Sequence, residues 1–129
     1  MKNFIKYFIF ITVILAASCS KNSDQEPKFY SKETPGKWDA QKETHIPVIE
    51  YDEGLSQVKV SVPVTPNPGH YIEVILLTDK NHKELAKKAL GRSQLAEATF
   101  EVPLGYHGKL FVVSKCNLHD MWEAELKIK

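Results

Sequence analysis

Cys116 and His119, separated by only two residues, lie in Lys115-Cys116-Asn117-Leu118-His119-Asp120-Met121-Trp122, and nowhere else in the 129-residue chain does a thiol come so close to an imidazole. A thiolate and an imidazole at this spacing can turn toward one ion at about 2.3 and 2.0 Å, a donor pair that suits zinc or iron. A buried Cys beside a surface His would give the same spacing without a metal. The remaining histidines decide between the two readings. His45 lies in Glu43-Thr44-His45-Ile46-Pro47-Val48-Ile49-Glu50, His70 follows the loop 63–69, and His82 and His107 fall in turns.

These side chains have to be positioned by short strands. From Ile46 onward, β-type runs are broken by turn residues, as in a small all-β sandwich. Val58, Val60 and Val62 alternate with Lys59 and Ser61, and 70–78 is a more apolar run ending at the turn Asp79-Lys80-Asn81. Residues 98–102 form a further strand, 110–114 leads into the Cys116 loop, and 123–129 closes a sheet with Ala124, Leu126 and Ile128. The exception is 82–90, where Glu84-Leu85-Ala86-Lys87-Lys88-Ala89-Leu90 favours helix by intrinsic propensity, although sheet context can override this. His107 precedes Cys116 by nine residues, roughly 30 Å along an extended strand, which places it at the opposite end of the sandwich. The same reasoning separates His82 from His70. His82 and His107 are therefore expected to be solvated turn residues, leaving His45, His70, Cys116 and His119 beside loops that could meet at one end.

The N-terminus reads as an export signal. Lys2 and Lys6 precede an apolar stretch over 7–15 and then Ala16-Ala17-Ser18-Cys19, too short a run for the ~20 residues of a spanning helix. Small residues ending on Cys resemble the bacterial lipoprotein signal, with Cys19 acylated and the protein held on a membrane of the cell envelope, facing outside the cytoplasm. The expected organisation is a signal peptide over 1–18, a flexible polar tether over 19–38 and one domain over 39–129. With Cys19 acylated, Cys116 has no disulfide partner, and metal ligation would account for an exported, unpaired thiol. Setting aside Lys2 and Lys6, 15 basic and 16 acidic side chains remain, so no charge field points to nucleic acid.

Four motifs in order, Thr44-His45-Ile46-Pro47-Val48-Ile49-Glu50, His70-Tyr71-Ile72-Glu73, Ala96-Glu97-Ala98-Thr99-Phe100 and Cys116-Asn117-Leu118-His119, resemble superoxide reductase, the iron domain of desulfoferrodoxin and neelaredoxin. The resemblance covers about residues 43–128. It implies a seven-stranded immunoglobulin-like sandwich with a mononuclear non-haem iron held by four histidines and one cysteine. It also implies superoxide as substrate, reduced to hydrogen peroxide with an electron from an external donor. His45, His70, Cys116 and His119 match family ligands, and Glu43 matches a family Glu that can cap the open metal position. The chain lacks the cysteines of the additional N-terminal iron domain found in some relatives.

The chain also departs from the family. Where a further ligand His follows a Pro, this sequence has Pro63-Val64, leaving three imidazoles and one thiolate, a set that could hold zinc as well as iron. Thr44 stands where a substrate-guiding Lys is usual, and Lys42, two residues away in an extended segment, is expected to compensate. Asp120 replaces a Gly after the ligand His, and Val74 a common Trp. The competing readings are a metal-binding lipoprotein without turnover and a metal-free immunoglobulin-like adhesion or assembly module. Homo-oligomer formation is left open.

Overall fold

The computed structural model describes residues 28–129; the signal peptide, Cys19 and the first part of the expected tether lie outside the described residues. Seven strands, β1 (Val48–Asp52), β2 (Gln57–Ser61), β3 (Ile72–Asp79), β4 (Glu84–Ala89), β5 (Glu97–Glu101), β6 (Gly108–Cys116) and β7 (Met121–Ile128), form two antiparallel sheets. One has the order β1-β2-β5 and the other β4-β3-β6-β7. This is the expected all-β sandwich.

Strand alternation builds the core. Val58 and Val60 of β2 register with Phe100 and Ala98 of β5, and all four are buried. Ile75 and Leu77 of β3 and Leu110 and Val112 of β6 supply the core residues of the other sheet. Because successive strand residues face opposite ways, a one-residue slip would send these valines and leucines to solvent, which fixes the register.

The segment 84–89 is a strand rather than a helix. Its backbone pairs with β3 from Val74↔Ala89 to Thr78↔Glu84, with a bulge between Leu77 and Thr78, and Ala86 packs on the core. Ladder bonds to an existing sheet edge outweigh the few tenths of a kcal/mol per residue by which Glu, Leu, Ala and Lys favour helix.

The described part of the expected tether, residues 28–38, packs on the domain. Tyr30 N–H donates to Met121 O at 2.8 Å and Glu123 N–H donates to Tyr30 O at 2.8 Å, a parallel bridge to the exposed edge of β7. Tyr30 is 2% exposed, its ring 5.6 Å from the fully buried Trp122. An edge strand has unpaired N–H and C=O groups, and Tyr30 satisfies two of them while burying an aromatic ring, so docking is favoured over a free tether. His82, expected in solvent, is also packed: its ring stacks between Phe29 at 4.2 Å and Phe111 at 4.6 Å, and Nε2 meets Glu123 Oε2 at 2.5 Å. His107 is exposed, bonded through Nδ1 to Lys129 O, at the end of β6 opposite Cys116.

The packing predicts that Tyr30→Ala destabilises the protein by about 3 kcal/mol, the usual cost of truncating a buried aromatic ring, as read from urea unfolding. A loss under about 1 kcal/mol would mean that 28–30 contributes little to the fold.

Candidate metal centre

Four elements end at the same place. His45 is the last residue of a single helical turn, α1 (Lys42–His45), which follows a 3-10 turn over Gly36–Gln41 and stops where Ile46 becomes extended before Pro47. His70 leaves a tight turn in which Asn67 Oδ1 accepts from Gly69 N–H at 2.9 Å and His70 N–H at 3.0 Å. Cys116 is the last residue of β6, and His119 lies in the β6–β7 turn.

Asn117 ties these loops together. Its backbone N–H donates to Tyr71 O at 3.1 Å, its Oδ1 accepts from Tyr71 N–H at 2.9 Å, and its Nδ2 donates to Gly69 O at 3.0 Å. The loop bearing His70 is thereby held to the loop bearing Cys116 and His119. Ser114, fully buried, donates to His45 O at 3.1 Å and fixes α1 on the same strand end. Trp122 Nε1–H donates to His119 O at 2.9 Å. Sequence reasoning singled out none of Ser114, Asn117 or Trp122 for this role. The signal for Asn117 was its place between a thiol and an imidazole, where a side chain with both donor and acceptor can bridge two loops.

The result is a compact donor set. His45 Nε2 lies 3.0 Å from His70 Nε2 and 3.1 Å from His119 Nδ1, His70 Nε2 lies 3.2 Å from His119 Nδ1, and Cys116 Sγ lies 3.5 Å from His119 Nδ1. All four donor atoms fall within 4.8 Å of one another. Nitrogens bonded to one first-row ion at about 2.05 Å stand about 2.9 Å apart at right angles and about 3.4 Å apart in a tetrahedron, and a tetrahedral N···S pair stands about 3.5 Å apart. The four pair distances lie in these ranges, whereas the 4.8 Å outer limit of the set is wider than any of them, so binding an ion draws the most distant pair together.

The protonation states suit ligation too. His45 is wholly buried, and its Nδ1 lies 2.9 Å from Gln41 O, which can only accept; Nδ1 therefore carries the proton and Nε2 offers a lone pair to the site. Burial, with His119 and His70 adding to it, pushes His45 down to about 4 against the pull of the Gln41 carbonyl. Burial and then His70 also lower His119, while Asp120 opposes the shift. Burial pushes the Cys116 thiol up; the backbone N–H groups of Leu118 and His119 act in the other direction, favouring the thiolate. Imidazoles held neutral at His45 and His119, and a thiol whose deprotonation by a bound cation the two amides assist, are a fitting donor set for a cationic centre.

The expected place of Lys42 needs revision. Lys42 and Thr44 do not share the side of an extended segment: they lie in a helix, about 200° apart around its axis. Lys42 Nζ is instead 2.9 Å from Asp39 Oδ1, and that carboxylate raises its pKa. Glu43 is exposed on α1. Val64, where the resemblance implies a further imidazole, is 5% exposed and belongs to the hydrophobic core. Asp120 explains the usual Gly: its φ is +63°, a left-handed conformation that costs most non-glycine residues roughly 1–2 kcal/mol and that Asp tolerates better than most.

The family model described as desulfoferrodoxin matches residues 37–125. A superoxide reductase of Pyrococcus horikoshii is 33% identical over 113 residues, spanning 76% of this chain and 98% of the relative. A desulfoferrodoxin of Desulfarculus baarsii is 35% identical over 105 residues, spanning 79% and 75%. Among solved structures, a superoxide reductase (neelaredoxin) of Ignicoccus hospitalis superposes with a TM-score of 0.68 at 30% identity, covering 78% of this chain and 93% of that one.

The buried neutral His45 sets a pH dependence for the metal-free protein. The unfolded chain takes up this proton near pH 6.5, whereas the folded chain resists until about 4, so protons favour unfolding between those values and stability falls as pH falls. From pH 7 to pH 5 the expected loss is about 2 kcal/mol. Urea unfolding of chelator-treated protein measures it, and His45→Gln should remove most of the slope; an unchanged slope in that variant would assign the effect elsewhere.

Proposed function

The chain belongs to the desulfoferrodoxin family, and on that premise we propose that it is a superoxide reductase of the single-iron type, reducing superoxide to hydrogen peroxide with an electron from an external donor. The observation that carries the proposal is the convergence of three imidazole nitrogens and one thiol within 4.8 Å at the end of the sandwich where the family motifs fall. His45, His70, His119 and Cys116 would hold iron, which when bound supplies one-electron redox chemistry. The overall conversion consumes one superoxide, one electron and two protons per hydrogen peroxide.

The chain's own residues contribute orientation and charge. Gln41 O fixes the His45 tautomer, Asn117 holds His70 against the Cys116 loop, and the Leu118 and His119 amides stabilise the thiolate. His70 and His119 are only partly buried, so a small anion can approach from their side. Glu43, exposed two residues before His45, is the proposed cap of the open position. Lys42 is the proposed substrate-guiding cation, its charge partly offset by Asp39 Oδ1 at 2.9 Å. Thr44 gives His45 Nδ1 a second contact, Oγ1 at 2.9 Å. The Ignicoccus protein, named a superoxide reductase, has been solved as a Glu→Ala variant and as a Thr→Lys variant at the next position; a Glu-Thr pair, Glu43-Thr44, also precedes His45 here.

A second reading, a metal-binding relative without turnover, is favoured by one observation, the apolar burial of Val64 where the family has an imidazole. Metal content and visible absorption discriminate. Protein produced with iron and zinc both available, then oxidised, is expected to hold about one iron per chain and to show a thiolate-to-ferric band that Cys116→Ser abolishes. It should then remove superoxide with formation of peroxide when a reductant is supplied. Zinc alone, or iron without superoxide consumption, would support the non-catalytic reading.

The proposal places the protein at a bacterial cell envelope through lipid on Cys19. Its support is the sequence over 1–19, together with Cys116, a thiol that lies buried beside three imidazoles. Cys19→Ala should move the protein from the detergent phase to the aqueous phase on partition; retention in the detergent phase would contradict lipidation at that residue.

A further inference from the structure

The three imidazoles of the site are not held in the same way. His45 is oriented by a hydrogen bond from its far nitrogen, Nδ1, to Gln41 O. His119 turns Nδ1 into the site, toward Cys116 Sγ at 3.5 Å and the other two imidazoles. Its far nitrogen, Nε2, has no hydrogen-bond partner among the described residues. A ligand imidazole is ordinarily oriented by such a bond, so the plane of His119 has to be fixed by packing.

Three rings surround it. His45 and His70 lie at 4.7 and 4.8 Å with interplanar angles of 82° and 81°, both from within the site. The third is Trp38, 4.8 Å away at 85°, and it belongs to the 3-10 turn ahead of α1. Trp38 is itself pinned. Its indole Nε1–H donates to Asp120 Oδ2 at 2.8 Å, and Asp120 is the residue directly after His119. Lys37 approaches the same carboxylate oxygen at 3.7 Å, with its Nζ 5.2 Å from the Trp38 ring centroid. Trp38 also departs from the helical backbone of its neighbours, with φ −99° and ψ 21°. Asp120 adopts its left-handed conformation while accepting from the indole 82 residues away in sequence.

We propose that Trp38 and Asp120 form a latch that positions His119, Asp120 holding the indole and the indole ring setting the imidazole plane so that Nδ1 stays aimed at the donor set. The latch rests on the reading of His119 as a metal ligand, and it takes over the role that a far-nitrogen hydrogen bond serves at His45. It also gives Asp120 a purpose where glycine would be the more comfortable residue. A glycine there could adopt the same backbone but would leave the indole N–H without its acceptor.

The deciding experiment is nuclear magnetic resonance on the metal-free full chain near pH 8, following the ring nitrogens of His119 and the contacts between its ring protons and those of His45 and His70. In the wild-type protein, His119 is expected as a single tautomer with its proton on Nε2 and with contacts to both rings. Trp38→Ala and Asp120→Gly should give mixed tautomers and weakened contacts, Trp38→Phe an intermediate state, and Asp120→Asn, which keeps a side-chain oxygen for the indole, the wild-type pattern. On the metal-loaded protein, Trp38→Ala and Asp120→Gly should lower ferrous-iron affinity roughly tenfold in competition with a chelator and shift the reduction potential, while Asp120→Asn leaves both near wild type. If the folded Asp120→Gly and Trp38→Phe variants keep the wild-type tautomer and ring contacts of His119, there is no latch. Failure of the wild-type protein to take up iron would instead overturn the functional reading, and the metal-free spectra would still decide for or against the latch.

Discussion

Keeping one fully buried imidazole uncharged is the constraint on which the rest of this molecule depends. His45 cannot carry a proton on both nitrogens without placing a cation against the core and against two other imidazoles. Its Nδ1 proton therefore needs an acceptor that never donates, and the Gln41 carbonyl, four residues back in the helical turn, is that acceptor. The geometry requires 41–45 to be helical and Ile46 to be extended. It leaves Nε2 bare and pointing inward, which is what a metal ligand must be. Ser114, donating to His45 O from inside the sandwich, ties the turn to β6 and thereby to Cys116 two residues on.

The sheet supplies the rigid half of the site and the loops the adjustable half. Ile72 registers with Cys116 across β3 and β6, and a bulge between Ile72 and Val74 locally twists β3 at the end that bears His70. Asn117 then converts strand register into side-chain position by bonding Tyr71 and Gly69 from the far strand. A site built this way inherits the stiffness of the antiparallel ladder, because none of its four donors lies more than two residues from a strand or from the helical turn that Ser114 pins.

The departures that the resemblance implies divide into those the fold accommodates with new contacts and one that falls in the core. Asp120 is absorbed, since its left-handed backbone is tolerable for Asp and its carboxylate gains Trp38 and Lys37 as partners. Thr44 is absorbed as a contact to His45 Nδ1. Val64, where the resemblance implies a further imidazole, is a core side chain without a lone pair, and the cluster among the described residues holds three imidazoles and one thiol. Fewer imidazoles in the set leave it open to tetrahedral as well as higher coordination.

Residue types and local periodicity determined much about this protein on their own. Alternation in Val58-Lys59-Val60-Ser61-Val62 and in β7 made the sandwich legible, since a two-residue period needs nothing beyond neighbouring positions. Strand length likewise removed His107 from the site, and the motifs around His45, His70 and Cys116-Asn117-Leu118-His119 singled out the four side chains that the fold brings together. Tertiary structure decided what depends on partners remote in sequence. The run 84–89 became a strand because β3 offered an edge, His82 was packed because Phe29 and Phe111 enclosed it, and Tyr30 left the expected tether because β7 had unpaired backbone groups. Lys42 lost its expected place because the His45 proton required a helical turn there. The roles of Asn117, Ser114 and Trp38 each rest on a bond spanning 46 to 82 residues, and a local pattern carries no trace of a partner that only folding brings near.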